Sequence, residues 1–74
     1  MSKKLPRLTA SEIIRILHKL GFEEKRSSGS HRIYKNMLKR IVVPYHSGKI
    51  IQPKMIKDIL RITGLSLEEF TKLL

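Results

Sequence analysis

The chain contains no cysteine, and only six of its 74 residues are acidic. Without cysteine there is no disulfide and no thiolate–metal site to reinforce a small core, and a disulfide-rich secreted scaffold is excluded. No apolar run approaches the roughly 20 residues that a membrane span needs. The opening Met1-Ser2-Lys3-Lys4-Leu5-Pro6 has no apolar stretch of the signal-peptide kind, so a cytoplasmic protein is expected. The carboxylates cluster only as the adjacent pairs Glu23-Glu24 and Glu68-Glu69. Side chains of adjacent residues point apart, which argues against a two-carboxylate acid–base site. The three histidines, His18, His31 and His46, lie far apart in sequence, so neither a metal nor another cofactor is expected. No glycine-rich phosphate loop, nucleophile elbow or dinucleotide fingerprint is present.

Positive charge is what the chain has in excess. Sixteen Lys and Arg give a net charge of +10. Residues 25–57 include no acid at all, yet carry Lys25, Arg26, Arg32, Lys35, Lys39, Arg40, Lys49, Lys54 and Lys57. Such a segment repels itself, and a fold tolerates it best opposite a polyanion. Solubility alone is a weaker explanation, because mixed charge would serve it. A membrane surface fits less well, since no basic amphipathic helix with exposed bulky apolar residues is evident.

Seventy-four residues, 41% of them hydrophobic, suffice for one domain (1–74) with one small core. Thr9 and Glu12 form a T-x-x-E capping box, with Leu8 and Ile13 spaced as a hydrophobic staple. Ala10, Ile13, Ile14, Ile16, Leu17 and Leu20 then fill one arc of a helix that Gly21 stops. Strands are predicted over 22–27, 31–35 and 40–45, joined by turns at 28–30 and 36–39. After a loop at 46–49, Pro53 opens a second helix whose apolar side is Met55, Ile56, Ile59, Leu60, Ile62 and Thr63. Gly64-Leu65 ends it, and a second capping box, Ser66 with Glu69, starts a short last helix. The order is α-β-β-β-α plus a terminal helix: an α+β fold with a three-stranded antiparallel meander and two helices on one of its faces.

His18 falls on the polar side of the first helix and reads as a surface residue. His31 follows a flexible Ser28-Gly29-Ser30 turn, opens a strand and lies within the acid-free segment. An imidazole of near-neutral pKa can take the proton of a ribose 2′-hydroxyl or supply one to a leaving 5′-oxygen. Nearby Lys and Arg can stabilise charge developing on the phosphate. His46, beside a second glycine loop, is a further candidate. Residues alone leave an ordinary hairpin histidine as the competing explanation. They also leave open which sheet face His31 joins: His31, Ile33 and Lys35 share one side, Arg32 and Tyr34 the other.

Gly29-Ser30-His31 with Tyr34, then Val43-Pro44-Tyr45-His46, then Gly48-Lys49, resembles the HicA (YcfA-like) toxin family. So does Ile59-Leu60-Arg61 continuing through Gly64-Leu65-Ser66 to Glu69-Phe70. The resemblance runs from about Thr9 to the C-terminus. It implies a fold similar to a double-stranded-RNA-binding domain. The implied activity is that of an endoribonuclease cleaving messenger RNA, an mRNA interferase active in stress responses. It further implies neutralisation by a HicB-type antitoxin. The family's catalytic histidine falls on His31, and His46, Tyr34 and Ser30 are possible supporting groups. Lys25, Arg26, Arg32, Lys35, Lys49, Lys54 and Lys57 are expected to hold RNA, and the free chain is expected to be a monomer. One departure is the 36–39 turn, which often contains glycine in the family but here reads Asn36-Met37-Leu38-Lys39. Two apolar residues at a hairpin tip suggest a contact with the antitoxin. The rival reading is a non-catalytic double-stranded-RNA-binding module, which needs the basic surface but not the histidine.

Overall fold

The computed structural model describes residues 7–46 and 48–74; the opening Met1-Ser2-Lys3-Lys4-Leu5-Pro6, read above against a signal peptide, and Ser47 of the 46–49 loop lie outside them. The elements are α1 (Ala10–Lys19), β1 (Glu23–Ser28), β2 (His31–Asn36), β3 (Lys39–Pro44), α2 (Pro53–Thr63) and α3 (Leu67–Thr71). The three strands form one antiparallel sheet in the order β1-β2-β3. This α-β-β-β-α-α order is the one that the sequence pattern predicts, and it is consistent with the double-stranded-RNA-binding-like fold that the resemblance implies.

Both capping boxes form. The Glu12 N–H donates to Thr9 Oγ1 (3.3 Å), and the Thr9 N–H donates to Glu12 Oε1 (2.9 Å). Ser66 and Glu69 repeat the arrangement at 3.1 and 2.9 Å. At its other end α1 closes with a Schellman motif: the Phe22 N–H reaches the Leu17 carbonyl and the Gly21 N–H reaches that of His18. Gly21 holds φ +87° there, in the left-handed region. The Asn36 side-chain amide donates to the Leu20 carbonyl at 3.0 Å, which satisfies a helix-end acceptor from the far end of β2.

The strands lie about one residue from the predicted limits. Phe22, placed within the first strand by pattern, instead precedes β1 and is buried in the core. Its backbone N–H belongs to the Schellman motif, so the ladder begins one residue later. The β1–β2 tip is Gly29-Ser30, with Ser28 already paired to His31. β3 ends at Pro44, whose ring leaves no N–H to donate.

Alternation then sorts the sheet into two faces. Tyr34, Ile41 and Val43 are buried and pack with Ile13, Ile16 and Leu17 of α1, Ile56 and Ile59 of α2, and Phe70 of α3 in one core cluster. The opposite face carries His31, Ile33 and Lys35 of β2 beside Pro44, Val42 and Arg40 of β3. Neither Ile33 nor Val42 joins the core cluster. Among the described residues no helix covers this face, so the tertiary structure decides what the strand pattern leaves open. Tyr34 goes inward and His31 outward.

Candidate active site

The sequence around His31 builds a tight turn that holds an exposed ring. Gly29 adopts φ +59°, a conformation that L side chains rarely take. Ser30 is half-buried, and its carbonyl accepts the Tyr45 N–H at 2.6 Å. His31 then opens β2, flanked by Ser28 on β1 and Pro44 on β3. Its side chain is exposed and, among the described residues, makes no hydrogen bond or ion pair. A ring so placed has both nitrogens available to solvent or ligand.

A bulge in β1 raises the charge of this face. Register slips between Glu24 and Arg26, so Lys25 and Arg26 together oppose Ile33. A bulge of this kind turns two successive side chains to one side of the sheet. Lys25 lies 3.6 Å from Glu23, an exposed pair that constrains it little. Lys35 and Arg40 are cross-strand neighbours at the far end of the face. His31, Arg26, Lys25, Lys35 and Arg40 thus share one open surface. Arg40 is absent from the cations singled out by sequence for RNA, although the Arg40, Val42, Pro44 alternation opposite Ile41 and Val43 carries the signal.

Other predicted residues lie elsewhere. Arg32 is on the helix side of the sheet, its guanidinium 4.0 Å from the centroid of the Tyr45 ring, a cation–π contact. The Tyr45 hydroxyl in turn shares a hydrogen bond with Ser11 Oγ (3.2 Å), tying the end of β3 to α1. Tyr34 is buried, donates its hydroxyl to Glu24 Oε1 at 3.1 Å, and meets the His18 ring edge-on at 5.8 Å between centroids. Burial, and then the Glu24 hydrogen bond, push the Tyr34 hydroxyl above its ordinary pKa, while Arg32 pulls more weakly the other way. The fold therefore places Tyr34 and Arg32 on one side of the sheet and His31 on the other. Lys54 and Lys57 are exposed on α2, in the helix layer.

His46 and Lys49 border a cavity of about 340 Å³ between the end of β3 and the start of α2, lined also by Pro44, Ile50 and Gln52. The segment beyond is anchored by the Ile51 N–H bonding to the Leu8 carbonyl at 2.7 Å. No group of three or more His, Cys, Asp or Glu side chains converges among the described residues. Nor is any described helix long and apolar enough to cross a membrane.

A protein-family model described as the HicA toxin of bacterial toxin-antitoxin matches residues 10–65, well over half of the chain. The chain belongs to the HicA toxin family. It is accordingly a toxin of a toxin–antitoxin system, and an antitoxin is its implied partner. The matched residues include the His31 turn, the whole sheet, and His46 and Lys49 of the cavity wall. No curated protein matches the chain.

Proposed function

We propose that this HicA-family toxin is an endoribonuclease that cleaves messenger RNA in the cytoplasm, with His31 moving the proton and no metal in the reaction. The setting of His31 supports this reading most: an exposed imidazole, without a partner among the described residues, on a backbone-anchored turn at the edge of a basic sheet face. One imidazole nitrogen takes the ribose 2′-hydroxyl proton as that oxygen attacks phosphorus. The P–O5′ bond breaks, leaving a 2′,3′-cyclic phosphate, and the departing 5′-oxygen collects a proton. Lys25, Arg26, Lys35 and Arg40 hold the phosphates and offset the charge that develops on them. For the second proton His46 is better placed than Tyr34, whose hydroxyl is buried against Glu24 on the far side of the sheet. Lys54 and Lys57 extend the backbone contacts onto α2.

The partner in this reading is a HicB-type antitoxin. Met37 and Leu38 at the β2–β3 tip are 91% and 100% exposed, and Met37 holds a φ of +57°. A fold that leaves two large apolar side chains in water on a strained turn gains nothing internally from them, which suits a surface reserved for another protein. The tip lies at the opposite end of β2 and β3 from His31.

Incubation of purified protein with a labelled messenger RNA in EDTA, beside His31→Ala, tests the proposal. Cleavage by the unmodified chain alone is expected. Intact RNA in both lanes with a gel shift in both would favour a double-stranded-RNA-binding module, for which the exposed lysines of α2 suffice.

A further inference from the structure

Pro44 stands opposite His31 in the β2–β3 ladder and also forms a wall of the cavity of about 340 Å³. Cross-strand partners hold their Cα atoms roughly 4.5–5.5 Å apart, so the cavity opens one strand away from the candidate catalytic ring. Its lining combines two chemistries. Ile50, 49% exposed, is one of four large apolar residues left in water by the described fold, and with Pro44 and Met55 it supplies an apolar wall. His46, Lys49 and Gln52 supply polar ends. Gln52 occupies the residue before α2, but its side chain makes no capping bond, and no other described residue engages it. Among the described residues, an amide, an ammonium and an imidazole are thus left without side-chain partners around an apolar patch.

We propose that this cavity is a nucleobase subsite: it takes one unstacked base of single-stranded RNA next to the scissile phosphate and sets which sequence is cut. The inference rests on the ribonuclease reading. The cavity lies at the small end of the roughly 300–1,000 Å³ range of small-ligand sites, enough for a base with part of its ribose. Ile50 and Pro44 contact the flat face of the base. The Gln52 amide, which offers both a donor and an acceptor, reads its edge. Lys49 meets the adjoining phosphate. A preference seated here arises from one base and is separate from the sequence-independent hold of the basic sheet face.

The test uses the full chain carrying His31→Ala, so that RNA survives, and single-stranded RNA hexamers in which one abasic position is walked through the sequence. One position is expected to weaken binding about tenfold, near the low end of what a stacked base contributes. Adding Gln52→Ala or Ile50→Ser should shrink that loss to within about twofold, with the circular dichroism spectrum unchanged. A loss that is the same at every position, or one that persists undiminished in both variants, overturns the subsite. If the hexamer with all its bases does not bind, the RNA reading and the subsite fall together. If the base-dependent loss is found but the unmodified chain cuts no RNA, the nuclease reading falls and with it the cavity's role in choosing the cut, while base binding in the cavity stands.

Discussion

The Tyr34 hydroxyl and the Glu24 carboxylate are joined by a 3.1 Å hydrogen bond between β2 and β1, on the face opposite His31. Glu24 is exposed, so its oxygens can turn to water if the hydroxyl is removed. Tyr34→Phe should therefore cost only about 0.5–1.5 kcal/mol of stability and leave RNA cleavage intact. A loss of cleavage with the fold intact would return Tyr34 to the proton-transfer chemistry.

The same residue gives a pH dependence. A Tyr34 pKa raised above the ordinary 10.0 means that the folded state holds this proton more tightly than the unfolded chain. Its contribution is fully present below about pH 10 and lost as pH rises through the folded value. Thermal melts between pH 9 and 11, on the order of one unit either side of the ordinary tyrosine value, should show stability falling with pH. Tyr34→Phe should fall less steeply; an identical slope would mean that Tyr34 does not set it.

His31 is exposed and bonded to no described side chain, so His31→Ala should leave the melting temperature nearly unchanged. RNA affinity should stay within a few-fold, because phosphate contacts carry most of it. Cleavage should be lost. Joint loss of binding and cleavage would assign His31 a structural role.

Charge removal can tell which layer grips RNA. On the sheet-face reading, Arg26→Ala and Lys35→Ala should each reduce the slope of log affinity against log salt by about one, uniformly across sequences. Lys54→Ala and Lys57→Ala should have smaller effects. The reverse order would place the duplex or strand along α2 and favour the binding-module reading.

Gly21 and Gly29 both have positive φ, but their surroundings differ. A Cβ on Gly21 would lie 3.2 Å from Asn36 Nδ2, the atom that donates to the Leu20 carbonyl. A Cβ on Gly29 would meet nothing within 4 Å. Gly29→Ala should cost about 1 kcal/mol of backbone strain, and Gly21→Ala more. For a chain this size each kcal/mol lowers the melting temperature by roughly 4–8 °C, so the two variants are separable in a thermal scan.

The hairpin tip offers the cleanest separation of antitoxin from RNA. Changing Met37→Gly and Leu38→Asn puts glycine at the tip position whose φ is +57°, as a turn with positive φ at its first central residue prefers, and should stabilise the domain by about 0.5–1 kcal/mol. Cleavage should persist while antitoxin affinity falls. Undiminished affinity for a HicB-type protein would remove the tip from that interface.

Much of the architecture is local in origin and legible in the sequence. Thr9 with Glu12, Ser66 with Glu69, Gly21 and Gly64 mark helix ends through bonds that span only a few residues, and apolar periodicity names the buried arcs of α1 and α2. The resemblance around Gly29-Ser30-His31 likewise anticipates the family. Three things depended on tertiary structure. Which face of β2 is inward follows from packing Tyr34, and not Ile33, against the helices, because both periods of the strand offer a plausible core residue. The union of Lys25 and Arg26 on the His31 face follows from a bulge, a feature of pairing register that a single strand does not encode. The cavity behind Pro44 joins residues from β3, the loop after it and α2, and only chain folding brings those segments to one wall.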